Sequence, residues 1–142
     1  MPTQLQSPEI QAFATGFPLT LLHAGVTILI LFLGALAYIM LTPHKEIALI
    51  REGNAAAAVS LSGVLVGLAI PLGVSLNAST SVIEIAVWGA STVVVQLLVF
   101  RVVDLMLHGL PQRIAEGETA AAALLVGAKL ATAIILAAAV AG

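Results

Sequence analysis

Four apolar runs, each 22 to 26 residues long and separated by short polar links, constrain this 142-residue chain more than any other feature. They are Phe17 to Leu41, Ala55 to Leu76, Val82 to Leu107 and Thr119 to Ala141. At about 1.5 Å per residue, each is long enough as a helix to cross a hydrocarbon core of about 30 Å. Lipid offers the backbone no hydrogen bonds, so a spanning segment must satisfy its own amides. Runs this long exceed barrel strands and read as α-helices. Composition agrees: 61% of residues are hydrophobic, only 8% are charged, and mean hydropathy is +1.15, whereas soluble domains carry about a quarter charged residues. The chain is predicted to be an all-α integral membrane protein. It forms a single membrane domain, 1–142, with no room for a separate soluble catalytic domain.

The residue types exclude several functions. Cysteine is absent, which removes disulfides, a thiolate nucleophile and Cys-held metals or clusters. A net charge of -2 gives no polybasic arm for nucleic acid. No metal and no cofactor is expected. The expected partners are the lipid bilayer, further copies of the chain, and another membrane or cytoplasmic-side protein.

Basic residues set the orientation. Lys45 and Arg51 lie in the first link, Arg113 lies in the third, and Arg101 is at the nearby end of the third run. The amino-terminal stretch, the NASTS link and the carboxyl terminus carry neither Lys nor Arg. The positive-inside rule makes the first and third links cytoplasmic and places both termini on the outer, periplasmic side of a bacterial inner membrane. Ala35-Leu36-Ala37 mimics a signal-peptide cleavage site. However, the region before the first run has no basic residue and carries Glu9, so the span is read as uncleaved. Residues 1–16 are read as an outer-surface segment, with Ser7 to Phe13 a short interfacial helix started by Ser7, Pro8 and Glu9.

A shift of 64 residues superposes the chain on itself. Across 44–70 and 108–134, eleven of 27 positions are identical, among them His44 on His108, Ile50 on Ile114, Glu52-Gly53 on Glu116-Gly117 and Gly63 on Gly127. The spacing predicts two tandem helix hairpins, about 17–76 and about 82–142. Each unit crosses twice, so the copies run parallel about an axis along the membrane normal. The recurring patch is predicted to be a cytoplasmic elbow. Thr42-Pro43 starts a short helix whose Ile47, Leu49 and Ile50 dip into the interface while Lys45, Glu46 and Arg51 stay wet. Gly53 then turns the chain and Asn54 caps the second span. Leu110-Pro111 to Gly117, containing Arg113 and Glu116, with Glu118-Thr119, does the same in the second unit.

A seam of small residues follows each elbow: Ala56, Ser60, Gly63 and Gly67 in the second span, and Ala120, Ala123, Gly127 and Ala131 in the fourth. Small residues let helix backbones approach closely in lipid. The second and fourth spans are therefore expected to be the inner pair, joined within or between chains.

The run TPHKEIALIREGNAAAAVSLSGVLVG, followed by IPLGVSLNASTSVIEIAVWGASTVVVQLL and RIAEGETAAAALL, resembles the bacterial inner-membrane family called domain of unknown function 350. The resemblance covers nearly the whole chain. It implies a small multi-span protein with an internal repeat, and it brings no established activity, substrate or catalytic residue.

Intramembrane polar residues are where function could reside, because charge there is expensive. At about 1.5 Å per residue from the elbow end, Asp104 lies about 5 Å in, Arg101 about 9 Å, Lys129 about 15 Å, Gln96 about 17 Å and Glu84 about 35 Å. Arg101 and Asp104, three apart, suit each other as a pair. Ser81 and Glu84 form a capping-box pattern, and His23 lies near Glu84 in depth. Lys129 stands alone at mid-membrane, where its counterpart in the first unit is Leu65. It lies about 200° around the helix from Gly127, which points it at Gln96 or at a neighbouring subunit. Two functions fit: a homo-oligomeric scaffold or accessory subunit, or a small ion or proton pathway through Lys129 and Gln96. No nucleophile and base fall at one depth, so an enzyme is not expected.

Overall fold

The structure, a computed structural model, describes residues 7–43 and 45–142. His44 lies outside the described residues. Six helices follow one another: α1 (Pro8–Leu41), α2 (Glu46–Arg51), α3 (Ala55–Ala78), α4 (Val82–Met106), α5 (Leu110–Ala115) and α6 (Thr119–Ala141). The described residues contain no strand. Helices α1, α3, α4 and α6 are long and apolar enough to cross a membrane.

The first of these differs from expectation. Ser7 caps α1, its side chain accepting from the amide of Ile10, and Pro8 occupies the first turn. From there the helix runs unbroken through Pro18 for 34 residues. From Pro8 to Gly16 the outer segment is thus continuous with the span and not a separate interfacial helix; its residues 1–6 lie outside the described residues. At about 1.5 Å per residue the whole exceeds a core of about 30 Å.

The first and third links close alike. At the end of α2, Gly53 N–H donates to the carbonyl of Ile50 and Asn54 N–H to that of Leu49; at the end of α5, Gly117 N–H donates to Ile114 and Glu118 N–H to Arg113. This is the Schellman pattern. It requires the left-handed backbone that Gly53 (φ 88°) and Gly117 (φ 91°) adopt. The residue that follows is Asn54 in one link and Glu118 in the other. Asn54 caps α3 through Ala57 N (2.9 Å), and its amide nitrogen also donates to the carbonyls of Ile114 (3.1 Å) and Ala115 (3.0 Å). One side chain therefore starts α3 and ties the two elbows together. Glu118 makes no side-chain cap; it pairs with Arg113.

Helix α3 is central, packed along α6 and against α1 and α4. Its small residues Ala56, Ser60, Gly63 and Gly67 are all buried. A Cβ on Gly63 would lie 2.7 Å from Val126 Cγ1 of α6, and one on Gly67 would lie 2.7 Å from Phe100 Cζ of α4. The small face of α3 thus seats two neighbours. Helix α6 departs from expectation. It turns Ala121, Ala122, Leu125 and Lys129 inward, leaving Ala120, Ala123, Gly127 and Ala131 exposed, with open space beside Gly127. The reason is angular. Lys129 and Gly127 are about 200° apart, so burying one exposes the other, and the charge has more to lose from lipid than the glycine.

Candidate functional site

Lys129 organises the polar interior. It is 0% exposed, and its Nζ donates to Tyr38 Oη at 2.9 Å. The same nitrogen lies 2.9 Å from Asp104 Oδ1, 4.7 Å from the centroid of the Tyr38 ring and 5.4 Å from that of Phe100. Three helices supply these groups: α1 brings Tyr38, α4 brings Phe100 and Asp104, and α6 brings Lys129. The two rings meet edge to face at 6.4 Å. An unpaired Lys at mid-helix costs about 2.5–3.5 kcal/mol to insert. Here a carboxylate, a phenol oxygen and two ring faces offset that cost.

Side-chain direction explains why Asp104 is the partner, although it starts about 10 Å nearer the elbow end. Every Cα–Cβ bond tilts toward its helix N-terminus. Helix α6 leaves the elbow end and α4 arrives there, so Lys129 leans back toward the elbow and Asp104 leans away from it. The two converge. The expected pairing of Asp104 with Arg101 is thereby overturned: Arg101 is exposed and has no ion-pair partner among the described residues. The expected facing of Lys129 onto Gln96 is also corrected. Gln96 is 0% exposed, two turns deeper along α4, and both its amide atoms lack hydrogen-bond partners.

Glu46 also departs from expectation. Placed in water by its charge, it is buried at 6% exposure. Periodicity accounts for this, since Glu46 shares a helical face with Leu49 and Ile50, three and four residues on, and those two pack against the buried core. Glu46 interacts with the Tyr38 hydroxyl and lies in the fields of Lys129 and Asp104. Burial pushes its carboxyl up from 4.5 to about 7, with the Asp104 charge adding to the rise and the Lys129 charge and the Tyr38 hydrogen bond opposing it.

Above this cluster is a cavity of about 270 Å³, open at the elbow end and lined by Tyr38, Glu46, Ser60, Arg101, Asp104 and His108 among others. Two carboxylate oxygens stay unsatisfied there: Glu46 Oε2 and Asp104 Oδ1. The Asp104 atom touches Lys129 as an ion pair but is not aligned for a hydrogen bond.

The remaining sequence candidates lie apart. At the far end of α4, Ser81 Oγ accepts from Glu84 N, while Glu84 Oε2 accepts from the backbone and hydroxyl of Thr80. Glu84 is therefore a capping group. His23 is half-buried in α1 and makes no ion pair with Glu84. At the elbows, Arg51, Glu52, Gly53, Glu116 and Gly117 are exposed, and Arg113 and Glu118 hold each other in the charged state, the arginine raised and the carboxyl lowered. No group of three or more His, Asp or Glu among the described residues suits a metal.

Sequence reasoning missed Tyr38, Phe100 and Glu46. The signal for Glu46 was its register with Leu49 and Ile50. For Tyr38, the sole tyrosine, it was a hydroxyl one turn inside a span end.

The model of the family described as Domain of Unknown Function (DUF350) matches residues 12–140. Over 97 residues the chain is 39% identical to the UPF0719 inner membrane protein YjfL of Escherichia coli strain K12, covering 68% of this chain and 72% of that protein. The protein of the same name from Escherichia coli O157:H7 matches to the same extent. No solved structure matches the chain significantly.

Proposed function

Because the chain belongs to the family Domain of Unknown Function (DUF350), a multi-pass inner-membrane family, we propose that it is a homo-oligomeric scaffold or accessory subunit of a membrane assembly. In this reading it is built as two parallel hairpins with both elbows on the cytoplasmic side and both termini periplasmic. The observation that carries the reading is the state of Lys129. Its charge is neutralised inside the chain by Asp104 and Tyr38 at zero exposure, which makes it a structural tie among α1, α4 and α6. The matching hydrogen bonds of the two elbows support the duplicated hairpin. The small face of α6 left outside, from Ala120 to Ala131, supports contact between copies.

One observation favours a proton or ion pathway instead. Ser75 Oγ and both amide atoms of Gln96 are buried without partners, and Ser75 borders a hollow with Glu84 at the far end. Three measurements decide. Particle mass in native lipid gives the subunit number, and a monomer removes the scaffold. Cysteines placed at Ser79 and Lys45, labelled on intact cells with an impermeant reagent, report the sidedness; reaction at Lys45 and not at Ser79 reverses it. Proton and ion flux in liposomes is expected to be nil. Flux that vanishes in the doubly neutral Lys129→Met, Asp104→Asn variant would replace the scaffold with the pathway.

A further inference from the structure

The elbow-end cavity holds more than the ion pair beneath it needs. Glu46 Oε2 is an acceptor without a hydrogen-bond donor, Asp104 Oδ1 has only the ion pair to Lys129 Nζ, and Glu46 is over nine-tenths buried with its side chain on the cavity wall. What completes them is a group rich in N–H. The opposite need sits beside them. Arg101 is a cation without an ion-pair partner among the described residues; it lines this cavity and also an apolar groove of about 430 Å³ between α1 and α4. The groove is walled by Leu41, Val94, Leu97 and Leu98, and it shares Tyr38, Thr42, Arg101 and Asp104 with the cavity. The two hollows therefore meet at a cation, with acids inward and apolar surface outward.

We propose that these joined hollows bind one amine-bearing phospholipid, with an acyl chain in the α1–α4 groove, the phosphate on Arg101 and the ammonium on Glu46 and Asp104. The order of charges selects this occupant. A lipid whose headgroup is only anionic leaves Glu46 Oε2 without a donor and sets like charge beside the two acids. A quaternary ammonium lipid has the charge but no N–H to give. A soluble amine leaves Arg101 and the groove unused. Size agrees, because at about 30 Å³ per water-sized group a cavity of about 270 Å³ admits a headgroup of a few heavy atoms. The site depends neither on which side of the membrane the elbows face nor on the subunit number.

The test is native mass spectrometry of the purified full chain in detergent, offered phosphatidylethanolamine, phosphatidylcholine or phosphatidylglycerol with matched acyl chains. Phosphatidylethanolamine is expected to be retained about tenfold better than either competitor, the factor that a lost charge-assisted hydrogen bond costs. With parental helicity checked by circular dichroism, Glu46→Gln is expected to abolish most of that preference, and Arg101→Gln, which removes the contact to the phosphate that all three lipids carry, to lower retention of all three. Equal retention of the three lipids by the parent overturns the proposal whether or not a variant folds. So does an undiminished preference in folded Glu46→Gln, or undiminished retention of all three lipids in folded Arg101→Gln. Displacement of the lipid by soluble phosphoethanolamine at equal concentration would also overturn it, assigning the cavity to a soluble amine.

Discussion

Replacing Glu46 with glutamine tests the buried elbow carboxyl directly. The side chain keeps its shape and loses its titration. In the folded chain burial raises the Glu46 carboxyl from 4.5 to about 7, so the folded state prefers the neutral form. A raised carboxyl stabilises fully below its unfolded value, and the benefit is lost as pH climbs through the folded one. Between pH 4.5 and about pH 7 the parent therefore sheds about 1.4 kcal/mol per unit, or about 3 kcal/mol in all. The groups facing Glu46 are Tyr38 from α1, Asp104 from α4 and Lys129 from α6, with Arg101 and His108 on the same cavity wall. His108 is exposed and sits at the rim. The assay is thermal unfolding in mild detergent at half-unit steps from pH 5 to pH 9, parent against variant. The two melting curves are expected to lie close at pH 5, to separate as pH rises to about 7 and to hold that gap above it, with Glu46→Gln the more stable. A parent whose stability rises from pH 5 to pH 8, or a variant with the same pH profile, would refute a buried neutral carboxyl at the elbow.

Asn54→Ala removes the α3 cap and both bonds to the second elbow; a loss of about 1–3 kcal/mol is expected by chemical denaturation, against a small change for Glu118→Ala, which removes only an exposed pair. Gly63→Ala drives a methyl against Val126 and is expected to cost about 1–3 kcal/mol, while Gly127→Ala meets open space and leaves the fold intact; equal effects at the two sites would contradict the rotation of α6. Lys129→Met and Asp104→Asn are each expected to cost about 3 kcal/mol by stranding the other partner, and the double variant to recover most of that loss; additive losses in the double-mutant cycle would mean the pair is not coupled.

The spans, the glycine turns and the cap at Asn54 were legible in the sequence because each rests on local chemistry: apolar length, left-handed backbone and an amide acceptor next to a helix start. The site was legible only in part, because its geometry comes from directions that a one-dimensional depth count omits. Counting residues from the elbow end set Lys129 level with Gln96 and left Asp104 to Arg101. Adding the tilt of each Cβ toward its helix N-terminus brings Lys129 and Asp104 together without any coordinates. The small-residue seam failed on α6 for a related reason. The 64-residue shift carries Ala56, Gly63 and Gly67 of α3 onto Ala120, Gly127 and Ala131 of α6, but it also sets Lys129 where α3 has Leu65. In α3 nothing competes with the small residues for the inward face. In α6 a single charge competes, and it sets the rotation of the whole helix. The cluster draws on both halves of the chain: α1 and α2 contribute Tyr38 and Glu46, and α4 and α6 contribute Asp104 and Lys129. It exists only where these helices meet, so a site of this kind is invisible within either half of the sequence taken alone.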